Sequence, residues 1–445
     1  MVKRIWLLTW LIVGILSFTP PSETAAQGGG PLVLVMTADA PVAPPMEQYI
    51  ERVIQMGEQD GAELIIFQLN TPGGNLESMN NIVQVIRDSR VPFVVYVTPR
   101  GAMAASAGTI ITLAGHASAM APETIIGAAS PVGGQGEDLG ETMAAKEKNA
   151  MRATVRSLAQ HRGEEAVALA EDTIENAMAV SSDEAFEVGL VDFIATDLND
   201  LIRQLDGWTV VTIDGERTLE TSNAAIREVS PSWIEQILQT LTNPNIVFLL
   251  ITIGIQAILI ELSSPGGWVA GFIGVACLAL ATYGLGVLPV NWFGLIFLIM
   301  AFALFILDVK APTHGALTAA GTGSLILGAL VLFNTTRAPG FPPISLPLVF
   351  VISLTTAGSF FVIISFAIRA QKVPIRTGQE GIIGRLGTVR TDLSPRGTVQ
   401  VGGELWSAEL ADGDEPAPAG THVRVIKVEG ITLRVSRGEA PTNKI

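Results

Sequence analysis

Cysteine and basic residues are scarce in this sequence, and each deficit excludes a class of function. The single cysteine, Cys277, lies inside an apolar run, so no intrachain disulfide can form and a zinc cluster built on cysteine is not expected. The chain has 27 lysines and arginines against 42 aspartates and glutamates, a net charge of −15. Because phosphate binding needs clustered basic side chains, this balance argues against a nucleic-acid partner. We also expect no metal and no cofactor.

Apolar residues, in contrast, are abundant. They make up 49% of the 445 residues, and the mean hydropathy is +0.45. Such a composition is too apolar for a purely soluble protein. The length allows two or three domains, each with its own core.

The first 26 residues have the three parts of a secretory signal peptide. Lys3 and Arg4 precede an apolar stretch at 5–18, and a polar stretch with small residues follows. Residues 1–26 are therefore predicted to be a signal peptide, with an uncleaved membrane anchor as the alternative. Either form sends the following domain across the membrane.

Residues 27–230 alternate short apolar runs with helical patterns. Buried strands are indicated by the runs PLVLVMT, AELIIFQLN and PFVVYVT, and two amphipathic helical segments separate them. This alternation predicts a parallel sheet with right-handed crossovers, and therefore an α/β domain. Helices are also predicted at about 141–162 and 164–176. A closing strand follows at VDFIA, and then a hairpin at WTVVTIDGERTLE that leads to a polar connector.

Residues 246–368 are predicted to form an α-helical transmembrane bundle. About five apolar segments without a polar face each approach the roughly 20 residues that span a bilayer. The segments are 246–262, 268–288, 292–307, 315–333 and 347–368. Because the first and third are short, four spans are the alternative.

Five crossings would place the two ends of this region on opposite sides of the membrane. Arg369, Lys372 and Arg376 follow the last segment, and basic residues of this kind favour the cytoplasmic side. We therefore expect a multi-pass protein of the cytoplasmic membrane. Its 27–230 domain would be extracytoplasmic, and its C-terminal part would be cytoplasmic.

The remaining segments are a linker at 231–245 and a small domain at 377–437. In the small domain, glycines at turns and alternating valine and isoleucine predict an all-β barrel of five strands, of OB-fold type. OB barrels often bind nucleic acid by stacking bases on aromatic side chains. Trp406 is the only aromatic residue here, so a protein partner or a lipid interface is favoured.

Ser106 is the only hydroxyl residue inside the small-residue core of TPRGAMAASAGTI, residues 98–110. It follows the strand PFVVYVT and opens a helical segment, which places it at the carboxyl end of a parallel strand and beside a helix N-terminus. Ligands bind at such positions, and small neighbours such as Ala104 and Gly108 would let a substrate backbone approach. Ser106 is therefore a candidate nucleophile, with a merely packed serine as the alternative.

A glycine turn follows the preceding strand, in the motif NTPGGNLES at residues 70–78. The backbone N–H groups of Gly73 and Gly74 are candidate donors to an oxyanion, and the N–H of Ala107 is a third. By itself such a turn is usually an ordinary loop. Its place one strand before Ser106 favours an oxyanion-binding function.

A reactive serine needs a base, and the four histidines suggest no Ser-His-Asp arrangement. His116 lies ten residues beyond Ser106, on what is predicted to be the same helix, too far along its axis to reach the hydroxyl. A lysine is the remaining base, and the 141–162 helix offers Lys146 and Lys148. Burial would bring the pKa of a lysine toward neutrality. Two solvated surface lysines are the alternative.

The combination of motifs resembles the long-form NfeD proteins, which are membrane-bound serine proteases of the ClpP class. The resemblance rests on TPGG, PRGAMAASAGT, MAPETIIGAASPV and KEKNAMRATVRSLAQHRG, together with the later membrane region and the terminal barrel. It implies a ClpP/crotonase-like α/β domain with a Ser-Lys dyad. Ser106 matches the family's nucleophile and Lys146 its base, since Lys148 is out of register. Gly73 and Gly74 match the family's glycines.

The resemblance also implies partners. Family members are thought to cleave apolar segments of a stomatin-like (slipin-like) membrane protein and to self-associate, at least as dimers. Two positions depart from the family pattern: Asn70 replaces a usual aspartate, and Ser130 replaces a histidine found in many members. Neither belongs to the dyad, so the departures concern local hydrogen bonding rather than the reaction.

Three functions are therefore compared. The favoured one is a membrane-bound serine endopeptidase that cleaves apolar segments of membrane-associated proteins. The alternative is a non-catalytic scaffold that organises stomatin-like proteins or membrane microdomains. A crotonase-type enzyme acting on coenzyme A thioesters is disfavoured, because export separates the domain from those cytosolic substrates.

Overall fold

The computed structural model describes residues 30–133, 140–263, 268–311, 313, 315–333, 341–371 and 381–438. The predicted signal peptide lies outside the described residues, as do two of the basic residues, Lys372 and Arg376, on which the predicted orientation depends. The chain divides into two compact units, Met1–Phe361 and Val362–Ile445.

A six-stranded parallel sheet forms the centre of the α/β domain. The strands of this domain are β1 (Leu32–Asp39), β2 (Leu64–Asn70), β3 (Phe93–Val97), β4 (Met103–Ala105), β5 (Ala117–Met120), β6 (Ile125–Gly127), β7 (Ala179–Ser181), β8 (Phe193–Ile194), β9 (Thr209–Thr212), β10 (Gly215–Thr218) and β11 (Ala225–Glu228). The order in the large sheet is β11–β1–β2–β3–β5–β8, and every neighbouring pair is parallel. The predicted α/β class is confirmed.

Helices connect these strands. They are α1 (Pro44–Asp60), α2 (Leu76–Arg87), α3 (Ala107–Ala114), α4 (Glu141–Ala159), α5 (Glu164–Glu175), α6 (Ser182–Glu187) and α7 (Leu198–Leu205). Helix α1 has a proline at its first position, where no backbone N–H is needed, and ends at Gly61 with φ +64°. Helix α2 begins after Asn75, whose side chain accepts a hydrogen bond from the N–H of Ser78.

The large sheet is buried on both faces, which explains the almost continuous apolar runs of its strands. Because side chains alternate along a strand, Leu34 and Met36 enter one core while Val33 and Val35 enter the other. The first of these cores also includes α3 and part of α4. The strand ends near Ser106 are thereby held in a rigid framework.

Two features of this domain differ from the sequence prediction. Strands β4, β6 and β7 form a second, three-stranded sheet, although no strand was predicted between β3 and Ser106. Strand β11 lies in the predicted polar connector and pairs with β1 at the edge of the large sheet. These strands have three or four residues, so they carry too little apolar alternation to be recognised, and backbone pairing with a neighbour stabilises them instead.

The predicted linker at 231–245 contains a helix, α8 (Trp233–Thr240). Ser232 and Glu235 form a capping box at its start. Glu235 also accepts two hydrogen bonds from the Arg52 guanidinium of α1, each 2.8 Å long. The helix is therefore clamped to the α/β domain.

Five apolar helices follow within the described residues. They are α9 (Pro244–Ser263), α10 (Val269–Val287), α11 (Trp292–Lys310), α12 (Ala316–Leu332) and α13 (Leu346–Gln371). By length and composition, α9, α10 and α11 can each cross a membrane, whereas the apolar part of the other two is shorter. Close backbone approach joins α9 to α10: a Cβ on Gly274 would lie 2.9 Å from the carbonyl oxygen of Gly254.

Helices α9 and α13 begin at the same end of this bundle. The Asn245 side chain, in the first turn of α9, donates to the carbonyl of Pro343 (3.3 Å) and accepts from the N–H of Ser345 (2.7 Å), just before α13. The two helices consequently run in the same direction away from the α/β domain.

The second unit contains a closed five-stranded barrel. Its strands are β12 (Leu386–Thr391), β13 (Arg396–Val401), β14 (Glu404–Leu410), β15 (His422–Glu429) and β16 (Thr432–Arg437). They close in the order β12–β13–β14–β16–β15 around a core of mostly valine and leucine. The predicted all-β barrel of OB-fold type is confirmed.

Candidate active site

Ser106 occupies a strained turn between a strand and a helix. It follows β4 and immediately precedes α3, and its N–H donates to the Gly127 carbonyl of β6 at 2.9 Å. Its φ of +53° is unfavourable for a residue with a Cβ and costs roughly 1–3 kcal/mol. Within the described residues the half-buried hydroxyl has no hydrogen-bond partner. The surrounding framework thus holds a candidate nucleophile, without a hydrogen-bond partner among the described residues, beside a helix N-terminus.

The glycine turn packs directly on this serine. A Cβ on Gly73, which has φ +110°, would lie 2.6 Å from the Ser106 Cβ and 3.1 Å from its Oγ. The turn is fixed to Val42 on both sides: the Val42 N–H donates to the Gly73 carbonyl, and the Val42 carbonyl accepts from Asn75, each at 2.8 Å. Only a residue without a side chain fits at position 73.

The three candidate oxyanion donors differ in their hydrogen bonds. The Gly73 N–H donates to the Thr71 hydroxyl at 3.2 Å. The N–H of Gly74 faces away from Val42, because that pairing uses the carbonyl of Gly73 and the N–H of Asn75. Neither Gly74 nor Ala107 donates its N–H to another group in the part of the chain that the structure describes. The Ala107 N–H is one of the free donors of the first turn of α3.

The small residues around Ser106 allow close packing of the protein itself, whereas they were predicted to let a substrate approach. Ala104 and Ala107 are buried, with 0% and 3% exposure. A Cβ on Gly108 would lie 2.5 Å from Cγ2 of the buried Thr71. Their smallness lets α3 and β4 pack against the glycine turn. Ala104 and Gly108 do not line the cavity next to Ser106, where they were expected to let a substrate backbone approach, whereas Ala107 does line it.

Asn70 and Ser130, the two residues that depart from the family pattern, each form hydrogen bonds in this structure. Asn70 donates from Nδ2 to Asp39 at 2.9 Å and accepts from the N–H of Met103 at 3.0 Å. An aspartate at this position would place a second carboxylate beside Asp39. Ser130 lies in the cavity next to Ser106, but its hydroxyl donates to the Ile174 carbonyl.

His116 does not act on Ser106. Helix α3 ends at Ala114, so His116 is not on the same helix, which corrects the prediction. Its Nδ1 accepts a hydrogen bond from the Phe93 N–H at 3.0 Å. Burial and the nearby Arg87 lower the pKa of His116 to about 4, so the ring is neutral at pH 7. It is a core residue between α3 and β5.

Lys146 is exposed on α4 rather than buried, contrary to the prediction. Only the C-terminal half of α4 is covered, through Met151, Val155 and Ala159. The single chain therefore does not desolvate Lys146. Lys148 is half-buried and donates to the Glu175 carbonyl at 2.8 Å.

A cavity of about 790 Å³ opens over Ser106, within the size range of ligand pockets. Met143, Glu147 and Met151, spaced four residues apart, line it from one face of α4, and Lys146 lies on the flank of that face. Within the described residues no three histidine, cysteine or carboxylate side chains form a group that could hold a metal ion.

Three family models match the sequence. The N-terminal domain of NfeD1b matches residues 32–211, and the NfeD integral membrane domain matches residues 245–366. The NfeD-like C-terminal, partner-binding domain matches residues 379–437. Together they account for the α/β domain, the membrane helices and the barrel.

Individual proteins are also similar. The membrane-bound protease PH1510 of Pyrococcus horikoshii is 37% identical over 87% of this chain and 89% of that protein. A solved structure of the 1510-N membrane-bound stomatin-specific protease, a lysine-to-alanine variant in complex with a substrate peptide, is 33% identical. It covers 48% of this chain and 98% of that one, with a TM-score of 0.45. ClpP1 from Listeria monocytogenes is 18% identical, covers 38% of this chain and 94% of that one, and has a TM-score of 0.31.

Proposed function

Because this chain belongs to the NfeD family of membrane proteins, we propose that it is a membrane-bound serine endopeptidase with Ser106 as its nucleophile. The observation that carries the proposal is the geometry of Ser106. The Ser106 backbone has a strained, positive φ, and its hydroxyl has no hydrogen-bond partner among the described residues. The residue lies at the start of α3, where it contacts the glycine turn and lines the cavity. Backbone strain of this kind clusters at active sites, which supports a functional role for Ser106.

The proposed reaction is acyl transfer to serine followed by hydrolysis. The Ser106 oxygen attacks the peptide carbonyl while the base takes its proton, and the N–H groups of Gly74 and Ala107 stabilise the oxyanion. The base then protonates the leaving amine, and water releases the acyl group. Gly73 shapes the site through its α-carbon, since its N–H is already bonded to Thr71.

Lys146 is the proposed base. Lys146 is on α4, and the residues Met143 and Glu147, which precede and follow Lys146 on this helix, both line the cavity. A lysine side chain is flexible, so a modest change in its rotamers or in the first turns of α4 would bring its amine toward Ser106. A substrate in the cavity would exclude water from this flank of α4.

Replacing Lys146 with alanine should lower kcat/KM for an apolar peptide by about 10²–10⁴-fold, as removal of a general base does. Lys148→Ala is the matched control, because it removes a lysine from the same helix that is bonded to Glu175. It should leave kcat/KM within a few-fold of wild type. The measurement is peptide hydrolysis by the full chain in detergent.

Two results would contradict parts of this proposal. Equal losses in the Lys146 and Lys148 variants would point to a general effect on α4. No hydrolysis by the wild-type chain, with peptide binding intact, would favour the non-catalytic scaffold, which the match of the barrel to a partner-binding domain also fits.

The substrate and partner are proposed to be a stomatin-like membrane protein. The support is the similarity to a protease whose name states specificity for stomatin and the partner-binding description of the matched C-terminal domain. We further propose that the chain works as a homo-oligomer, at least a dimer, as the family resemblance implies. Apolar segments of such a membrane partner would be the cleaved sequences.

The α/β domain and the barrel are proposed to lie on opposite sides of the cytoplasmic membrane. The support is that α9 and α13 begin at the same end of the bundle, held by Asn245, as expected for five crossings. With the α/β domain exported, a reporter fused after residue 438 should be active only in its cytoplasmic form. Activity of an extracytoplasmic reporter at this position would mean an even number of crossings.

A further inference from the structure

The cavity over Ser106 has two walls that come from different parts of the chain. One wall belongs to the α/β domain. The other is formed by residues 286–289, at the end of α10 and the start of its connection to α11, and by Phe341, which precedes α13. Residues at the ends of the apolar helices thus line the same cavity as the candidate nucleophile.

Both walls contribute apolar side chains that are at least partly exposed. On the α/β side, Leu76, Val132 and Met143 are 39%, 46% and 53% exposed. On the other side, Val287 and Phe341 are half-buried. Within the described lining the charged side chains are Glu77 and Glu147, with no lysine or arginine. Open apolar surface of this kind is typical of a ligand site, and the two carboxylates disfavour an acidic ligand.

The second wall is part of the membrane bundle rather than a mobile cover. Leu288 and Phe341 pack against the apolar core of the helices. The Asn291 N–H donates to the Leu332 carbonyl at 2.9 Å, which ties the start of α11 to the end of α12. Trp292, at the start of α11, is 59% exposed, and tryptophan is enriched where membrane helices meet water. This end of the bundle is therefore the one expected at the bilayer surface.

We propose that the α10–α11 connection and Phe341 form the membrane-side wall of the substrate cleft. The cleft binds an extended apolar segment of a membrane protein at the point where that segment leaves the bilayer. Val287 and Phe341 contact the apolar side chains of the segment and so determine specificity. This inference rests on the proposed function, because Ser106 is taken as the reacting group in the same cleft.

Binding can be measured without turnover in the full chain carrying Ser106→Ala, reconstituted in lipid nanodiscs. The probe is a fluorescent decapeptide of valine and leucine, with a serine-and-glycine decapeptide of equal length for comparison. Adding Phe341→Ala or Val287→Asp should raise the Kd of the apolar peptide about tenfold, as loss of a central apolar contact does. The matched control is Phe293→Ala, since Phe293 is 71% exposed on α11 and does not line the cavity.

Unchanged Kd in both wall variants, or an equal rise in the Phe293 variant, would overturn the inference. So would equal binding of the two peptides. A photo-crosslinking side chain at position 287 should form a covalent adduct with the apolar peptide. Adducts formed only from crosslinkers placed elsewhere in the chain would contradict the assignment. This test remains valid even if one of the wall variants misfolds. If the wild-type chain shows no hydrolysis while these binding differences hold, the peptidase proposal fails and the cleft assignment stands.

Discussion

The Ser106→Ala chain is expected to lose peptidase activity by about 10³-fold or more in kcat/KM, because removing a nucleophile leaves only the oxyanion donors and substrate binding. The substitution removes one oxygen atom that has no partner within the described residues, so packing and the positive φ are unaffected. The thermal unfolding midpoint should consequently match that of wild type. The measurement is hydrolysis of an apolar peptide by the full chain in detergent.

Ser130→Ala is the matched control for this prediction. Ser130 lines the same cavity, but its hydroxyl already donates to the Ile174 carbonyl. Its removal should change kcat/KM by no more than a few-fold. Comparable losses in both serine variants would indicate that the cavity is sensitive to any change, and full activity of Ser106→Ala would exclude Ser106 as the nucleophile.

The second large effect is expected at a buried ion pair behind the site. The Arg162 side chain is 2% exposed and donates to Asp192 at 2.7 Å. The second carboxylate oxygen of Asp192 accepts the N–H and the hydroxyl of Ser118, at 2.8 and 3.2 Å. Arg162 lies in the turn that follows α4, Asp192 immediately precedes β8, and Ser118 is in β5. The ion pair therefore attaches α4, the helix that contains Lys146, to the large sheet.

Asp192→Ala should lower the free energy of unfolding by about 3–5 kcal/mol, because it leaves the Arg162 guanidinium buried without its counter-charge. The exposed Arg203–Asp200 pair provides the control: Arg203 is 73% exposed, and Arg203→Ala should leave stability almost unchanged. Thermal unfolding of the full chain in detergent measures both.

A double variant separates the charge from the packing. Arg162→Met combined with Asp192→Leu should recover much of the stability lost in Asp192→Ala, since a well-packed apolar pair avoids burying charge. If Asp192→Ala were as stable as wild type, the ion pair would have no structural importance.

Most of the architecture was predictable because it depends on local patterns. Alternating apolar runs and helices specify a parallel sheet, apolar segments of nearly 20 residues specify membrane helices, and valine alternation between glycines specifies the barrel strands. Ser106 and Gly73 were recognisable for the same reason. A serine between a strand and a helix, and a glycine turn one strand earlier, are both short-range features that a parallel sheet brings to one edge.

The failed predictions involve burial and long-range pairing. Lys146 was expected to be buried, yet its half of α4 is uncovered, and nothing within the helix itself reports what packs on it. His116 was placed on α3 because the apolar pattern continues, whereas the helix ends at Gly115 and the chain enters β5. Strand β11 is a strand only because β1 offers it hydrogen bonds.

The sequence by itself therefore determined the family, the order of the α/β domain, membrane helices and barrel, and the identity of the candidate nucleophile. These depend on residue type and on spacing over a few turns or strands. Only the tertiary structure decided which N–H groups near Ser106 are free and why its small neighbours are small. It also showed that segments 180 to 235 residues away in sequence, at the ends of the apolar helices, complete its cavity. Those properties arise from contacts between distant segments, and such contacts exist only once the chain has folded.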